Sequence, residues 1–579
     1  MKAIHKIAFW TSVFGVILSI IDFGFTQSEF SKQLIYYFYF LVLTIGVIST
    51  SFRYINKVSI IRIKKAFAFD LLSILFTLLI FYIHLFNRQT YSEDPILTQT
   101  IWIKLTVLLS FIREFSSLKI NYKRTVLNPA QLFIASFLII ILTGALLLML
   151  PNATNTGISF TNALFTSTSA VCVTGLIVVD TSSYFTEFGQ VIILVLIQIG
   201  GLGILTFASY FGYFFKGGSS YENQLVFSDM INSKKIGEVF SILKYILLIT
   251  FGIEFFAALL IFLSLDSQYF TSLYDQLFFS IFHSISAFCN AGFSTMKNGL
   301  YEDGLRFNYF LQIIIILTFV LGGLGFPITV NILKYIKYRI RKLLSFGKNK
   351  IGYRPWALNL NSRITLITTI SLSVVAFLAF YTMEYNNTLS DHQGIGKVVT
   401  ALFGATTPRT AGFNTIDFST MLFPTTILII FLMWIGASPS STGGGIKTST
   451  LAIATLNILS LAKGKSRIEV FKREIAEISV RRAFAIIFLS LLVIGFGVVL
   501  LSTFDSEKDL TSIAFECVSA YSTVGLSLGI TGSLSHASKF VLIGIMFIGR
   551  VSMLTIVIAI FKKIKHQNYR YPTEEITIN

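Results

Sequence analysis

The stretch Cys172-Val173-Thr174-Gly175-Leu176 recurs three times in altered form, as Cys289-Asn290-Ala291-Gly292-Phe293, Arg409-Thr410-Ala411-Gly412-Phe413 and Ser522-Thr523-Val524-Gly525-Leu526. Each copy follows an apolar span and a short amphipathic segment, in most copies rich in Thr and Ser, and each leads into a second apolar span. The glycines stand 117, 120 and 113 residues apart (175 to 292, 292 to 412 and 412 to 525). A single Thr-Gly reads as an ordinary turn, but four glycine turns at one period mark a structural unit copied in series.

Composition names the solvent. Hydrophobic residues make up 54% and charged residues 13% of the chain, against roughly 25% charged in a soluble domain. Mean hydropathy is +0.74. The net charge of +18 does not point to nucleic acid, because the basic residues sit in short clusters between apolar runs of about 20 residues. The odd set of three cysteines, Cys172, Cys289 and Cys517, makes no disulfide framework, and the six scattered histidines show no metal-ligand spacing. No small-residue cleavage site follows the first apolar run, 7–25, which reads as a retained span.

Apolar runs lie at about 7–25, 34–51, 66–86, 101–116, 130–150, 190–214, 242–265, 308–333, 364–385, 421–435 continuing at 446–462, 483–503 and 539–561, about twelve crossings in all. Lys334, Lys337, Arg339, Arg341, Lys342, Lys348, Lys350, Arg354 and Arg363 crowd one connection, and Lys463, Lys465, Arg467, Lys472, Arg473, Arg481 and Arg482 the next on the same side. The positive-inside rule puts both connections in the cytoplasm, together with both termini, in a multi-pass protein of the cell (inner) membrane. The glycine turns then all start and finish outside. The segments before them, 161–172, 276–289, 397–407 and 511–522, are too short to span but suit half-helices dipping into the bilayer. Irregular backbone survives at that depth only if protein covers it or it lines a water-filled cavity.

A half-helix entering from outside aims its partially negative C-terminal end at the membrane centre, and four such ends favour a dehydrated cation there. Glycine permits the positive backbone angles that aim consecutive carbonyls inward. The expected cation filter is therefore Val173, Thr174 and Gly175; Asn290, Ala291 and Gly292; Thr410, Ala411 and Gly412; and Thr523, Val524 and Gly525. Thr174, Thr410 and Thr523 are placed to add hydroxyls. Asp180, Asp266, Asp275, Asp417 and Asp505 near the outer mouth read first as solvated surface charge.

Over about residues 130–565 the chain resembles the pore-forming subunit of the Trk/Ktr/HKT superfamily of potassium transporters, and within it the Ktr-like branch. The specific pieces are Val173-Thr174-Gly175-Leu176 with Val178-Val179-Asp180 and Gln198-Ile199-Gly200-Gly201-Leu202-Gly203; Ala287-Phe288-Cys289-Asn290-Ala291-Gly292-Phe293; Pro408-Arg409-Thr410-Ala411-Gly412-Phe413; and Gly443-Gly444-Gly445-Ile446-Lys447-Thr448. The resemblance implies an all-α polytopic membrane protein of four tandem helix, re-entrant pore helix and helix repeats around a central pore. It further implies K+ uptake, homodimerisation within membrane lipid, and a cytoplasmic nucleotide-binding ring subunit as regulator. No covalently bound cofactor is expected, and K+ at the filter is cargo. In related proteins a serine at the first filter glycine goes with Na+ permeation. Here all four positions are glycine, which favours K+ and leaves Na+ coupling open.

The expected units are an N-terminal extension of about four spans (1–129), pore repeats at 130–240, 241–345, 346–475 and 476–565, and a tail at 566–579. In the third repeat the run Gly436-Ala437-Ser438-Pro439-Ser440-Ser441-Thr442-Gly443-Gly444-Gly445 cannot stay helical. It reads as a break lining the cavity below the filter, and by resemblance as an intramembrane gate with Gly443, Gly444 and Gly445 at its heart. Arg550 lies between apolar residues of the last span and by resemblance is the barrier arginine beneath the filter. Lys447 reads equally as a gate residue or as a side chain snorkelling to the cytoplasm.

Other classes fit less well. A symporter working by alternating access calls for inverted repeats, whereas these all run in one orientation, although Na+-coupled or Na+-permeable symport stays as the alternative. An enzyme needs clustered acids and bases at membrane depth, and Glu254 and Glu516 stand isolated in sequence. In the fourth span Lys104, Arg113 and Lys119 do not recur at every third position, so the N-terminal spans read as packing elements rather than a voltage sensor.

Overall fold

A computed structural model describes residues 2–55, 63–86, 100–117, 129–216, 239–344, 358–439, 441–560 and 574. Lys348, Lys350, Arg354 and all of the basic C-terminal tail except residue 574 lie outside them. Each of the twelve expected runs carries helix, and among the described residues the sheet content is one pair of two-residue strands, Glu469–Val470 with Arg473–Glu474, in a basic connection.

The first four helices, α1 (Lys2–Gly24), α2 (Glu29–Ile55), α3 (Ile63–Phe86) and α4 (Thr100–Ser117), form a bundle around Ile35, Val42, Leu43, Ile80, Ile103 and Val107. One charge pair lies inside it: Lys104 Nζ is 2.7 Å from Asp22 and 3.6 Å from the centre of the Phe23 ring. Phe23 stacks on Phe188 of the first repeat at 5.6 Å, and its carbonyl accepts from Asn152 Nδ2 at 2.9 Å. The N-terminal extension thus packs on the pore repeats through the end of α1.

Each repeat is an outer helix, a pore helix and an inner helix. The outer helices are Pro129–Leu148, Val239–Ser264, Leu360–Glu384 and Glu477–Phe504. The pore helices are Phe160–Val171, Leu273–Cys289, Ile395–Thr406 and Leu510–Ser522. Three of these start where the sequence supplies a capping oxygen: Ser159 accepts from Asn162 N, Ser272 from Asp275 N, and Asp509 from Thr511 N and Ser512 N. Lipid gives helices no hydrophobic reason to associate, so small residues let backbones meet. Gly144 of the first outer helix is such a position, against Ser167, whose hydroxyl donates to Ile141 O at 2.7 Å.

The inner helices start at Glu187, Tyr309, Phe423 and His536, and all four are broken. The first kinks at Gly203 (φ 66°), the second turns by 108° at Gly325 (φ 78°), and the fourth stops at Ser552 (φ 73°). The third ends at Trp434 and resumes at Thr448. Among the described residues five single helices are long and apolar enough to cross a membrane, or six with the bent pair counted as one. The sequence reading anticipated the break in the third repeat only.

Candidate functional site

The pore helices end in turns of one shape. In each, the residue two before the glycine is left-handed and so is the glycine: Val173 (57°) and Gly175 (90°), Asn290 (61°) and Gly292 (69°), Thr410 (74°) and Gly412 (76°), Thr523 (50°) and Gly525 (92°). The intervening residues Thr174, Ala291, Ala411 and Val524 keep ordinary negative φ. Backbone that alternates hand in this way rotates successive peptide planes so that their carbonyls can share one side.

Backbone bonds hold the turns from behind. Thr174 N donates to Ser169 O at 2.7 Å, Ala291 N to Ser286 O at 2.7 Å, Ala411 N to Thr407 O at 2.9 Å and Val524 N to Ser519 O at 2.9 Å. Gly175 N and Gly525 N donate to the hydroxyls of Ser169 and Ser519 at 3.0 and 3.1 Å. The N–H groups therefore face the pore helices.

The four turns close a circuit. A methyl group added at Gly175 would fall 2.3 Å from Ala291 O, one at Gly292 3.0 Å from Ala411 O, one at Gly412 2.2 Å from Val524 O, and one at Gly525 2.3 Å from Thr174 O. Each glycine thus abuts the carbonyl of the next repeat, and the fourth returns to the first. All twelve expected residues come together here.

Behind the circuit the inner helices approach through glycine. Gly200, Gly322 and Gly549 lie against the carbonyls of Val171, Phe288 and Tyr521 at the ends of the first, second and fourth pore helices, so close that no side chain fits. In the third repeat Gly436 meets Gly444 O instead, because the segment 435–447 is interposed. The related strings Ile199-Gly200-Gly201-Leu202-Gly203, Leu321-Gly322-Gly323-Leu324-Gly325 and Ile548-Gly549-Arg550-Val551-Ser552 were the unused sequence signal for the three extra breaks.

The interposed segment is tied to the underside of the turns. Gly444 N donates to Thr523 Oγ1 at 2.8 Å, Thr442 Oγ1 donates to Asn290 Oδ1 at 2.9 Å, and Asn290 Nδ2 donates to Thr410 Oγ1 at 3.4 Å. Two of the three expected threonine hydroxyls are thus engaged by neighbours, while that of Thr174 is buried with no protein partner among the described residues. Lys447 Nζ turns back to the carbonyls of Gly443 and Gly444, the latter at 3.3 Å, so the snorkelling alternative does not describe its position.

Below lies a cavity of about 270 Å³ whose lining includes Gly203, Gly325, Lys447, Arg550 and Ser552. Arg550 is 7% exposed and donates to Thr442 O and Gly200 O, joining the interposed segment to the first inner helix. The carboxylates that looked isolated are bonded: Gln198 Nε2 donates to Glu254 at 3.1 and 3.2 Å, and Ser527 and Thr531 donate to Glu516. Among the described residues no group of His, Cys, Asp and Glu could hold a resident metal, and the three cysteines are free and buried.

The outer acids are engaged by polar neighbours. Asp180 accepts from Ser183 N at 2.8 Å, Asp417 from Ser419 N at 2.9 Å and Asp505 from Ser535 Oγ at 2.9 Å. The Thr271 and Ser272 hydroxyls beside Asp275 hold its carboxyl below the usual range.

Fold and site define an all-helical, multi-pass membrane protein of four tandem repeats whose re-entrant turns meet on one axis. The profile of the TrkH cation transport protein family matches residues 96–570, and the chain belongs to that family. The match starts upstream of the expected 130 and takes in α4. Similar proteins include Ktr system potassium uptake protein B of Bacillus subtilis (strain 168), 36% identical over 455 residues, covering 78% of this chain and 96% of that one. Potassium/sodium uptake protein NtpJ of Enterococcus hirae is 35% identical over 460 residues, covering 78% and 97%. Among solved structures, the potassium transporter TrkH from Vibrio parahaemolyticus shares the fold with a TM-score of 0.61 at 18% identity, covering 86% of this chain and 97% of that one.

Proposed function

We propose that the chain takes up K+ across the cell membrane, with the carbonyls of the four glycine turns standing in for the ion's hydration shell. The observation that carries this reading is the closed circuit of glycine against carbonyl, because four main-chain segments from distant parts of the chain meet where pore-helix C-termini favour a cation. Relatives named as potassium uptake proteins support the choice of ion. The K+/Na+ name of one relative keeps Na+ permeation or coupling as the alternative.

In this reading the segment 435–447 is the gate and Arg550 its electrostatic lock. The guanidinium stands in the cavity beneath the filter, where a fixed positive charge opposes a cation, and its bonds to Thr442 O and Gly200 O hold the segment across the path. The Lys447 ammonium adds a second charge on the same segment.

The basic connections and both termini face the cytoplasm under the positive-inside rule. The protein works as a homodimer in membrane lipid, and a cytoplasmic nucleotide-binding ring subunit docks beneath it, a reading supported by relatives named as parts of Ktr systems. Reconstituting the purified chain in liposomes and following Rb+ against Na+ uptake tests the core of the proposal. Selective Rb+ uptake is expected, and uptake of neither ion would refute it.

A further inference from the structure

Two of the four repeats carry the same polar relay beside the filter. In the fourth repeat Gly529 N donates to Ser527 Oγ at 2.9 Å, and the Ser527 hydroxyl donates to Glu516 Oε1 on the pore helix. In the second, Met296 N donates to Ser294 Oγ at 3.0 Å, and Ser294 Oγ meets His283 Nε2 on the pore helix at 2.9 Å. His283 Nδ1 lies 2.9 Å from Phe279 O, a carbonyl that only accepts, so Nδ1 carries the proton and Nε2 accepts from Ser294. Both relays run backbone N–H to serine hydroxyl to pore-helix acceptor.

The positions correspond as well as the chemistry. Each serine stands two residues past its filter glycine, and each acceptor lies nine residues before it (294 and 283 about Gly292, 527 and 516 about Gly525). Both acceptors are 0% exposed. The equivalent residues are Thr166 and Ile177 in the first repeat and Phe403 and Asn414 in the third. There the amide of Asn414 goes to Asn298 O at 3.2 Å, and Phe403 packs edge-on against Phe319 at 5.7 Å. The glycine circuit runs from repeat one through two, three and four back to one, so the second and fourth repeats face each other across the axis. At these positions the relays therefore occupy one diagonal of the pore; on the other the ties lie closer to the filter, where Gly175 N donates to Ser169 Oγ at 3.0 Å and Thr407 Oγ1 to Phe413 O at 2.7 Å.

We infer that Glu516 and His283 are positioning residues for ion selection. Acting through Ser527 and Ser294, they fix the distance between the pore helix and the chain leaving the filter on two opposite sides of the ion. That distance sets how far the carbonyls of Val524 and Ala291 can close on a smaller cation. A filter held open on one diagonal cannot shrink onto Na+, whereas one whose struts are cut can relax towards it. The inference rests on the potassium reading above and deepens it, since it assigns part of the discrimination to groups outside the carbonyl ring.

The test is the ratio of Rb+ to Na+ uptake by the full chain in liposomes. Ser527→Ala, Ser294→Ala and Glu516→Ala should each lower the ratio at least threefold. Glu516→Gln, which keeps an acceptor oxygen, should stay within twofold of the parent. Glu516→Ala with Ser527→Ala should be no worse than Glu516→Ala alone, because Ser527 acts through Glu516. Loss of packing would lower uptake of both ions together, and Ser527→Ala and Ser294→Ala remove only hydroxyls should the Glu516 variants fail to fold. Parent-like ratios in both serine variants, or additive losses in the double variant, would overturn the inference. A parent chain that takes up neither ion would remove the potassium reading and this inference together, whereas a selective parent with unchanged serine variants removes the inference alone.

Discussion

Replacing Gly175 by serine should convert the first turn from a selective element into a permissive one, and a second glycine supplies its own control. Gly175 and Gly157 are both left-handed, with φ of 90° and 78°. A side chain at either pays the left-handed penalty of about 1 to 2 kcal/mol. They differ in what the new Cβ would meet: nothing within 4 Å at Gly157, but Ala291 O at 2.3 Å and the backbone of Gly292 at 3.4 Å at Gly175. Ordinary contact for such a pair starts at 3.4 Å, so the two turns must separate by about 1 Å. That displaces the carbonyl of the neighbouring repeat and opens the circuit at its first joint. Carbonyls moved by that much no longer replace the water shell of K+ evenly, and the Rb+ to Na+ uptake ratio in liposomes should fall at least tenfold, equivalent to about 1.4 kcal/mol of lost discrimination. Gly157→Ser should keep the parent ratio despite comparable backbone strain. A Gly175→Ser chain with the parent ratio, or equal losses in the two variants, would refute the placement of these turns around the ion.

Arg550→Gln should raise resting Rb+ uptake in regulator-free liposomes, and unchanged uptake would take Arg550 out of the gate. Deleting residues 438–445 should also leave a leakier protein, whereas equal flux would mark the segment as a static kink. Phe23→Ala removes the stack on Phe188, worth about 0.5 to 1.5 kcal/mol beyond buried area; faster proteolytic release of the N-terminal bundle is expected, and parent-like resistance would show that the bundle is held elsewhere. Outside the membrane, Arg306 Nη2 bonds Asp391 at 2.6 Å and holds its carboxyl below the ordinary 3.8. A depressed carboxylate stabilises the fold above its ordinary value and loses that contribution as pH falls through its folded value. Asp391→Asn should therefore lower stability at pH 7 by no more than the roughly 1 kcal/mol of a surface pair, read as a slightly lower melting temperature, and make no difference once pH is below both values. A destabilisation that persists at low pH would assign the effect to packing.

Sequence alone determined the parts that are local. The spans follow from apolar length, the pore helices from the short segments before the four turns, and the turns from glycine, because a residue with no Cβ takes a left-handed φ at no steric cost, whereas the left-handed Val173, Asn290, Thr410 and Thr523 are set by the fold. The mid-membrane break at 435–447 was legible for the same reason, since proline and four glycines cannot continue a helix. Three further breaks, at Gly203, Gly325 and Ser552, are marked in the sequence only by the related glycine strings inside runs as apolar as any span, and the crowding of the inner helices against the pore-helix ends that goes with them shows only in the fold. Tertiary structure alone decided which carbonyl meets which glycine, that Lys447 turns back onto Gly443 and Gly444, and that Arg550 bridges Thr442 and Gly200. Those contacts join segments more than a hundred residues apart or reverse the direction of a flexible side chain, and a polar group at membrane depth takes whichever partner the packing brings within reach.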